Sequence, residues 1–125
     1  MRYLCLIHLD PRQLDAIPPR ELSDLNAAHW DLNDTLRTTG NFIVAEALEP
    51  VEKSACVRVR QGKTSVVDGP YAETKEVVAG FYLIEARDLA EATTIAARIP
   101  SATFATVEVR PARQLIVEGR ESRWG

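Results

Sequence analysis

The 125-residue sequence predicts an α+β domain in which two helices cover one face of a mostly antiparallel sheet. Three observations lead to this prediction: apolar segments typical of strands, two segments with helical apolar spacing, and turn residues between them. The length suits one domain with a substantial core and is too short for two. We expect residues 1–111 to form this domain and residues 112–125 to form a C-terminal tail.

The first predicted elements are a strand and a long helix. Met1–His8 is rich in strand formers and has no breaker before Pro11. Pro18-Pro19 suits the first turn of a helix, and Gly40 suits the left-handed conformation that ends one. Between them, one helix face carries apolar residues at spacings of 3, 4, 3 and 4 with a histidine at its centre: Leu22, Leu25, His29, Leu32 and Leu36.

Two strands and a hairpin follow this helix. Asn41–Leu48 is the second predicted strand. Ala55–Arg60 alternates apolar and basic residues, and the turn at 61–63 leads into Thr64–Asp68, which predicts a hairpin with one apolar and one polar face. Val77–Ala86 is the next strand.

The last elements are a second helix and a final strand. Asp88 is a suitable helix cap, and an apolar stripe predicts a helix over Leu89–Ile99. Small alanines in this stripe allow the helix to approach a sheet closely. Thr106–Arg110 is the last clear strand.

Without the hairpin, the order strand, helix, strand, strand, helix, strand is the ferredoxin-like βαββαβ plan. Val77–Ala86 is apolar on both of its alternating sets, with Phe81 and Leu83 against Val78, Tyr82 and Ile84. A single chain would leave one of these sets in water, so we predict a homodimer whose two sheets face each other as a dimeric α+β barrel. Leu115–Val117 in the tail either joins this contact or belongs to a mobile tail.

Composition excludes several classes of partner. Apolar residues make up 46% and charged residues 26% of the chain, and the net charge is −3 with both signs scattered. Nucleic acid and membrane are therefore not expected partners. No apolar run is long enough to span a bilayer and no signal peptide is seen, which predicts a cytoplasmic protein. Cys5 and Cys56 lie in apolar strand patterns and are interpreted as structural.

The motif "DGPYAETKE", followed by "GFYLIE", a helix and "VEVRP", resembles the DGPF-type branch of the YCII-related family, with Tyr71 where that motif usually has phenylalanine. The likeness extends from Met1 to Pro111. It implies a dimeric α+β barrel and little about activity. Related dimeric barrels include cofactor-free isomerases, dehydrochlorinases and monooxygenases, while some members of the branch accompany alternative sigma factors, and fold analogy does not choose among these.

His29 is the sharpest chemical candidate. Its helix position aims it at the sheet, where burial favours the neutral imidazole and a nearby carboxylate would favour the charged form. Such a group can transfer a proton, but a core histidine held by hydrogen bonds is an equally open interpretation. The resemblance implies a catalytic histidine here, eleven residues before Gly40, working with an aspartate from an Asp-Pro pair after the second helix. Ile99-Pro100 stands at that pair, so the carboxylate is missing.

Asp68 is the candidate that replaces this carboxylate. Gly69 gives conformational freedom and Pro70 fixes the next dihedral angle, so the corner is stiff and suited to hold Asp68 in one orientation. An aspartate before glycine also accepts hydrogen bonds from its own turn, which is a purely structural role. Both roles remain open.

The residues after this corner are the candidate binding residues. Tyr71 is placed to cover a ligand, while Glu73, Thr74 and Lys75 form a polar segment that must be solvated, paired or lining a pocket. Lys75 would bind an anionic group and Glu73 would anchor it, if the loop of an opposing subunit lies close. Ordering of the loop and a dimer contact are the structural alternatives.

Two functions are compatible with these patterns. The first is a cofactor-independent lyase or isomerase with His29 as general base, Asp68 as its partner, and a small organic acid or phenol as substrate. The second is a non-catalytic ligand-binding or regulatory module, in which the corner is a structural part of the dimer. No cofactor is expected, and His8 with His29 would make only a weak metal site.

Overall fold

The computed structural model describes residues 1–125 and contains a four-stranded antiparallel sheet with its helices packed on one face. A separate two-stranded hairpin lies outside this sheet. The strands are β1 (Arg2–Leu9), β2 (Phe42–Ala47), β3 (Ala55–Arg60), β4 (Lys63–Asp68), β5 (Val77–Glu85) and β6 (Thr106–Pro111), and the α-helices are α1 (Pro11–Asp15), α2 (Pro19–Thr38) and α3 (Leu89–Ala96).

The sheet has the strand order β2-β5-β1-β6, and every neighbouring pair is antiparallel. Along the chain, β1 and α2 lead into β2, and β5 and α3 lead into β6. Strands β2 and β6 lie at the edges of the sheet, so β1 and β5 occupy its centre. This order confirms the ferredoxin-like α+β fold with an inserted hairpin.

Alternation along β1 decides which face of the sheet forms the core. Tyr3, Cys5, Ile7 and Leu9 are buried against the helices. Leu36 of α2 and Ile84 of β5 are fully buried in the same cluster. Burial raises the pKa of the Cys5 thiol to about 11, so this cysteine is a protonated apolar group, as its strand position predicts.

The opposite face of the sheet, here called the open face, is also apolar at its centre. Cross-strand pairs place Leu4 beside Leu83 and Leu6 beside Phe81 on this face, with Val44 opposite Leu83 on β2. Leu4 and Leu6 alternate with the buried residues of β1, so their side chains point to the face without helices. The side chains that pair with them on β5 and β2 point to the same face. The chain alone therefore leaves an apolar layer without a covering element.

A register shift corrects the predicted facing of Val78. The pairing of β1 with β5 changes between Ile7 and His8, and His8 then lies opposite Val78. A strand irregularity of this kind reverses the alternation beyond it. Val78 therefore belongs to the open face with Phe81 and Leu83, and not to the set that contains Tyr82 and Ile84.

Helix α3 ends at Ala96, three residues before the predicted end. The amides of Arg98 and Ile99 bond to carbonyls three residues earlier, which is the tighter pattern of a 3₁₀ turn. Pro100 explains the change, since the residue before a proline is disfavoured in a helix; Ile99 accordingly has an extended conformation with ψ of 121°. The apolar stripe continues to Ile99, but the helix does not.

Helix α1 was not expected from the sequence pattern. Asp10 accepts a hydrogen bond from the backbone amide of Arg12, and Gln13 completes a capping box. The side chain of Arg12 also donates to both carboxylate oxygens of Asp10, and these bonds lower the pKa of Asp10 to about 2. Leu14 of this short helix packs against the core.

The hairpin and the tail lie at the periphery. Val57 pairs with Val66 on one hairpin face, and both are more than half exposed. In the tail, Leu115 forms an isolated bridge with Arg123, and the guanidinium of Arg2 lies 5.6 Å from the ring centre of Trp124. A contribution of the tail to a dimer stays a prediction.

Candidate functional site

A cleft of about 470 Å³ lies between the first half of α2 and the neighbouring strands β2, β5 and β1. Its floor is made by small residues where a central sheet usually carries larger ones: Ala45 and Ala47 of β2 and Ala79 and Gly80 of β5. At Gly80 a Cβ atom would come within 2.9 Å of the Glu46 carbonyl oxygen, so a larger residue requires a backbone shift. The cleft therefore exists because these strands lack bulk opposite α2.

His29 lies in the wall of this cleft and is held from both sides. Its Nδ1 is 2.7 Å from the hydroxyl of Tyr82, and its Nε2 is 2.8 Å from the hydroxyl of Ser101. The His29 and Tyr82 rings are also roughly parallel, with centres 6.0 Å apart. The helical spacing correctly predicted that His29 faces the sheet.

Burial decides the charge state of this group. Desolvation lowers the pKa of His29 below its ordinary value, and it raises the pKa of Tyr82 to about 12. No carboxylate touches the imidazole, so nothing opposes the desolvation. His29 is therefore a neutral imidazole between two neutral hydroxyl groups at pH 7.

This state predicts a pH dependence of stability. Below the ordinary pKa of about 6.5, the unfolded chain protonates His29 while the folded chain does not, so the free energy of unfolding falls as the pH falls toward the folded-state pKa. The contribution is at most about 1.4 kcal/mol for each pH unit. Urea unfolding from about pH 7.5 to 5 should show a steeper loss for the unmodified chain than for His29→Gln. The matched variant His8→Gln should keep the steep loss, and equal slopes for the unmodified chain and His29→Gln would contradict the expectation.

Ser101 occupies the neighbourhood where the resemblance implied a carboxylate. Ile99 is buried in the core, and Pro100 starts the short 3₁₀ turn that contains Ser101. The turn thus brings a hydroxyl group to His29 in place of a carboxylate. An acidic partner would favour the imidazolium, whereas a hydroxyl accommodates the neutral ring.

Sequence reasoning missed most of the side chains around His29. Asn26 and Asn33 lie about one turn on either side of it on α2 and line the cleft, as does Trp30, whose side chain is 73% exposed. Spacings of three and four residues from His29 were the available signal for the two asparagines. Tyr82 and Ser101 had no such signal, because only the fold brings them to the histidine.

Asp68 does not meet His29 within one chain. It lies at the exposed end of β4, whereas both ring nitrogens of His29 have other partners. The corner itself is held by the Gly69 amide, which donates to the Ser54 carbonyl, and a Cβ at Gly69 would collide with the Ser54 side chain. A side chain at position 69 would therefore require Ser54 to move. The catalytic role of Asp68 stays a prediction.

The other candidate binding residues also lie away from the cleft. Tyr71 is 89% exposed, and Glu73, Thr74 and Lys75 are exposed around it. The Thr74 hydroxyl donates to the Glu76 carbonyl, which orders the loop locally. Lys75 lies near enough to Asp10 to help lower the pKa of that carboxyl group. Their contact with a ligand stays a prediction.

His8 does not join His29 in a common site. Alternation places His8 on the open face, where its Nε2 is 3.0 Å from an oxygen of Glu108. The chain contains no group of three or more His, Cys, Asp or Glu side chains placed to hold a metal ion. None of its helices combines the length and apolar character needed to cross a membrane.

Comparison with known proteins gives a family match over most of the chain. A model of the YCII-related domain matches residues 1–116. A region of 66 residues is 46% identical to an uncharacterised protein of Rhizobium meliloti (strain 1021) and makes up 51% of this chain and 53% of that protein. The chain thus spans about half the length of the curated relative it matches. The family match includes five residues beyond Pro111, so it extends into the predicted tail.

Proposed function

The chain belongs to the YCII-related family, and we propose that it is a small cofactor-independent enzyme of the lyase or isomerase type, of the DGPF branch. Its substrate is a small organic acid or a phenolic compound, bound in the cleft beside α2, in a cytoplasmic setting. One observation supports this proposal above others: a neutral imidazole, His29, lies in the wall of an apolar cleft of about 470 Å³. A neutral imidazole in a largely apolar cleft is suited to accept a proton at neutral pH.

The hydrogen bonds around His29 define how a proton would move. When Nδ1–H donates to the Tyr82 hydroxyl, Nε2 is free to accept the hydroxyl proton of Ser101. Ser101 also lines the cleft, so it takes a proton from the substrate as it gives its own to Nε2. The resulting imidazolium returns the proton at another carbon or to a leaving group. Tyr82 and Ser101 thus replace the expected partner Asp68 within one chain.

Isotope exchange tests this proposal without a known product. Proton abstraction from carbon in D₂O introduces deuterium into a substrate, which NMR detects in a panel of small keto acids, enols and phenols. We expect exchange with the unmodified protein and a loss of at least about 100-fold in His29→Gln, the usual effect of removing a general base. His8→Gln should retain the exchange, since His8 lies on the other face of the sheet. Exchange that survives in His29→Gln would refute the assignment.

A non-catalytic ligand-binding or regulatory module is the second candidate. One observation favours it: both ring nitrogens of His29 already have hydrogen-bond partners, as in a histidine with a structural role. The same experiment separates the two candidates, because a module binds ligands without exchanging their carbon-bound protons. Binding without exchange across the panel would therefore favour the module.

We also propose that the protein is a homodimer in which two copies bury their open faces against each other. The apolar centre of this face is formed by Leu4, Leu6, Phe81 and Leu83. The hairpin supports the same arrangement, since an isolated two-stranded hairpin with exposed valines is marginally stable in water. In such a dimer the loop with Asp68, Tyr71, Glu73, Thr74 and Lys75 contacts the second copy or its ligand, which would give these residues the binding roles that a single chain does not provide.

A further inference from the structure

The charge of the cleft restricts the ligands it can hold. Glu46 borders the cleft with its backbone only, because it pairs with Phe81 and its side chain therefore lies on the open face. No lysine or arginine reaches the cleft. The polar groups on its walls are instead the uncharged side chains of Asn26, Asn33, Tyr82 and Ser101, with His29 kept neutral by burial. Every side-chain polar contact available inside the cleft therefore involves an uncharged group.

Each charged class of ligand meets a physical obstacle here. An anion would lose its hydration and find neither a cation nor a charged donor, which is costly in an apolar site. A cation would lose its hydration and find no carboxylate, because the exposed Glu46 side chain lies on the open face. An uncharged molecule loses little on entering and keeps its hydrogen bonds by exchanging them with amides and hydroxyls.

An exposed aromatic side chain in the lining adds a preference for flat, apolar molecules. The floor is the alanine and glycine surface of β2 and β5, and the exposed indole ring of Trp30 also lines the cleft. Aromatic rings stack favourably on an indole ring. The polar groups of Tyr82, His29 and Ser101 are grouped together in the wall.

We propose that the cleft selects uncharged, flat ligands whose apolar body faces Trp30 and the alanine floor, and whose hydrogen-bonding end faces the His29 wall. This inference rests on the proposed function, since it assumes that the same cleft holds the substrate. It narrows the substrate class from organic acids and phenols to molecules that enter without a net charge, such as a phenol in its protonated form.

Three isosteric probes separate charge from shape: benzamide is neutral, benzoate is an anion and benzamidine is a cation at pH 7. Trp30 fluorescence reports binding in the Trp124→Phe variant, which removes the chain's other tryptophan, and calorimetry on the unmodified protein checks the same affinities. We expect benzamide to bind at least about tenfold more tightly than either ion. Asn26→Lys places a cation in the lining and should raise the affinity for benzoate relative to benzamide at least about tenfold.

The outcomes are distinct from those of the exchange experiment. Benzoate or benzamidine binding as tightly as benzamide would overturn the inference, and so would the absence of binding by all three. Selective binding of benzamide together with no isotope exchange would uphold the inference and reject the enzyme proposal. Isotope exchange without selection by charge would support the enzyme proposal and reject the inference.

Discussion

Replacing Leu83 by aspartate is expected to convert the proposed dimer into monomers. Leu83 lies on the central strand β5, between Leu4 of β1 and Val44 of β2, in the middle of the open face. A single chain leaves a carboxylate at this position in contact with water, whereas a face-to-face dimer would bury it among leucines. Burial of an unpaired charge costs several kcal/mol. We therefore expect the free energy of dimer association to become less favourable by ~4 kcal/mol, which raises the dissociation constant about a thousandfold.

Sedimentation equilibrium over a range of concentrations measures this change. The unmodified protein should give twice the 13.9 kDa chain mass, and Leu83→Asp should give the chain mass with an unchanged circular dichroism spectrum. Leu89→Asp is the matched control, because Leu89 is half exposed on the first turn of α3, on the other side of the sheet. An unmodified protein that is monomeric at micromolar concentration would refute the dimer, as would a variant that still pairs.

Among single truncations of core side chains in α2, Leu36→Ala should cause the largest loss of stability. Leu36 is fully buried and belongs to the cluster that joins α2 to the sheet. Truncation removes apolar contacts and leaves a cavity, and such changes cost about 2–5 kcal/mol. We expect the free energy of unfolding to fall by about 3 kcal/mol or more, because the neighbours of such an enclosed side chain cannot move in to fill the cavity.

Urea unfolding at one pH provides the measurement, with the slope of the transition checked for constancy. Leu89→Ala is the matched leucine truncation and should cost less than about 1 kcal/mol, since half of its side chain already contacts water. Similar losses for the two variants would show that α2 does not anchor the core. A changed slope would instead point to an altered unfolded or native state.

Most of the fold follows from local patterns in the sequence, because periodicity and turn residues agree along most of the chain. The predicted ends of α2 and of the strands lie within one or two residues of the observed ends. The misses have physical causes. Pro11 acts as the first residue of α1 and not as a breaker, which the Asp10 and Gln13 capping pair would have revealed. The side chain of Val78 points to the other face of the sheet from the one predicted, because a register shift changes the alternation. Such a shift depends on strand pairing and not on the local sequence pattern.

The candidate site was only partly predictable for a different reason. The helical face correctly aimed His29 at the sheet, since that depends on local spacing alone. Its partners Tyr82 and Ser101 lie 53 and 72 residues away along the chain, and no local rule connects them. Asp68 was predicted as the partner of His29 because it is a carboxylate, without knowledge of where the fold places it. Within one chain Asp68 lies at the exposed end of the hairpin.

The small residues beneath α2 have a consequence for how this protein would diversify. Ala45, Ala47 and Ala79 belong to the strands under α2, so a larger side chain at one of them would narrow the chamber without replacing the imidazole or its two hydroxyl neighbours. Under the proposed function, selectivity for molecular size and the capacity for proton transfer would thus depend on separate residues. Substitutions on two strands would then change which substrate fits while the proposed acid–base groups stay unchanged.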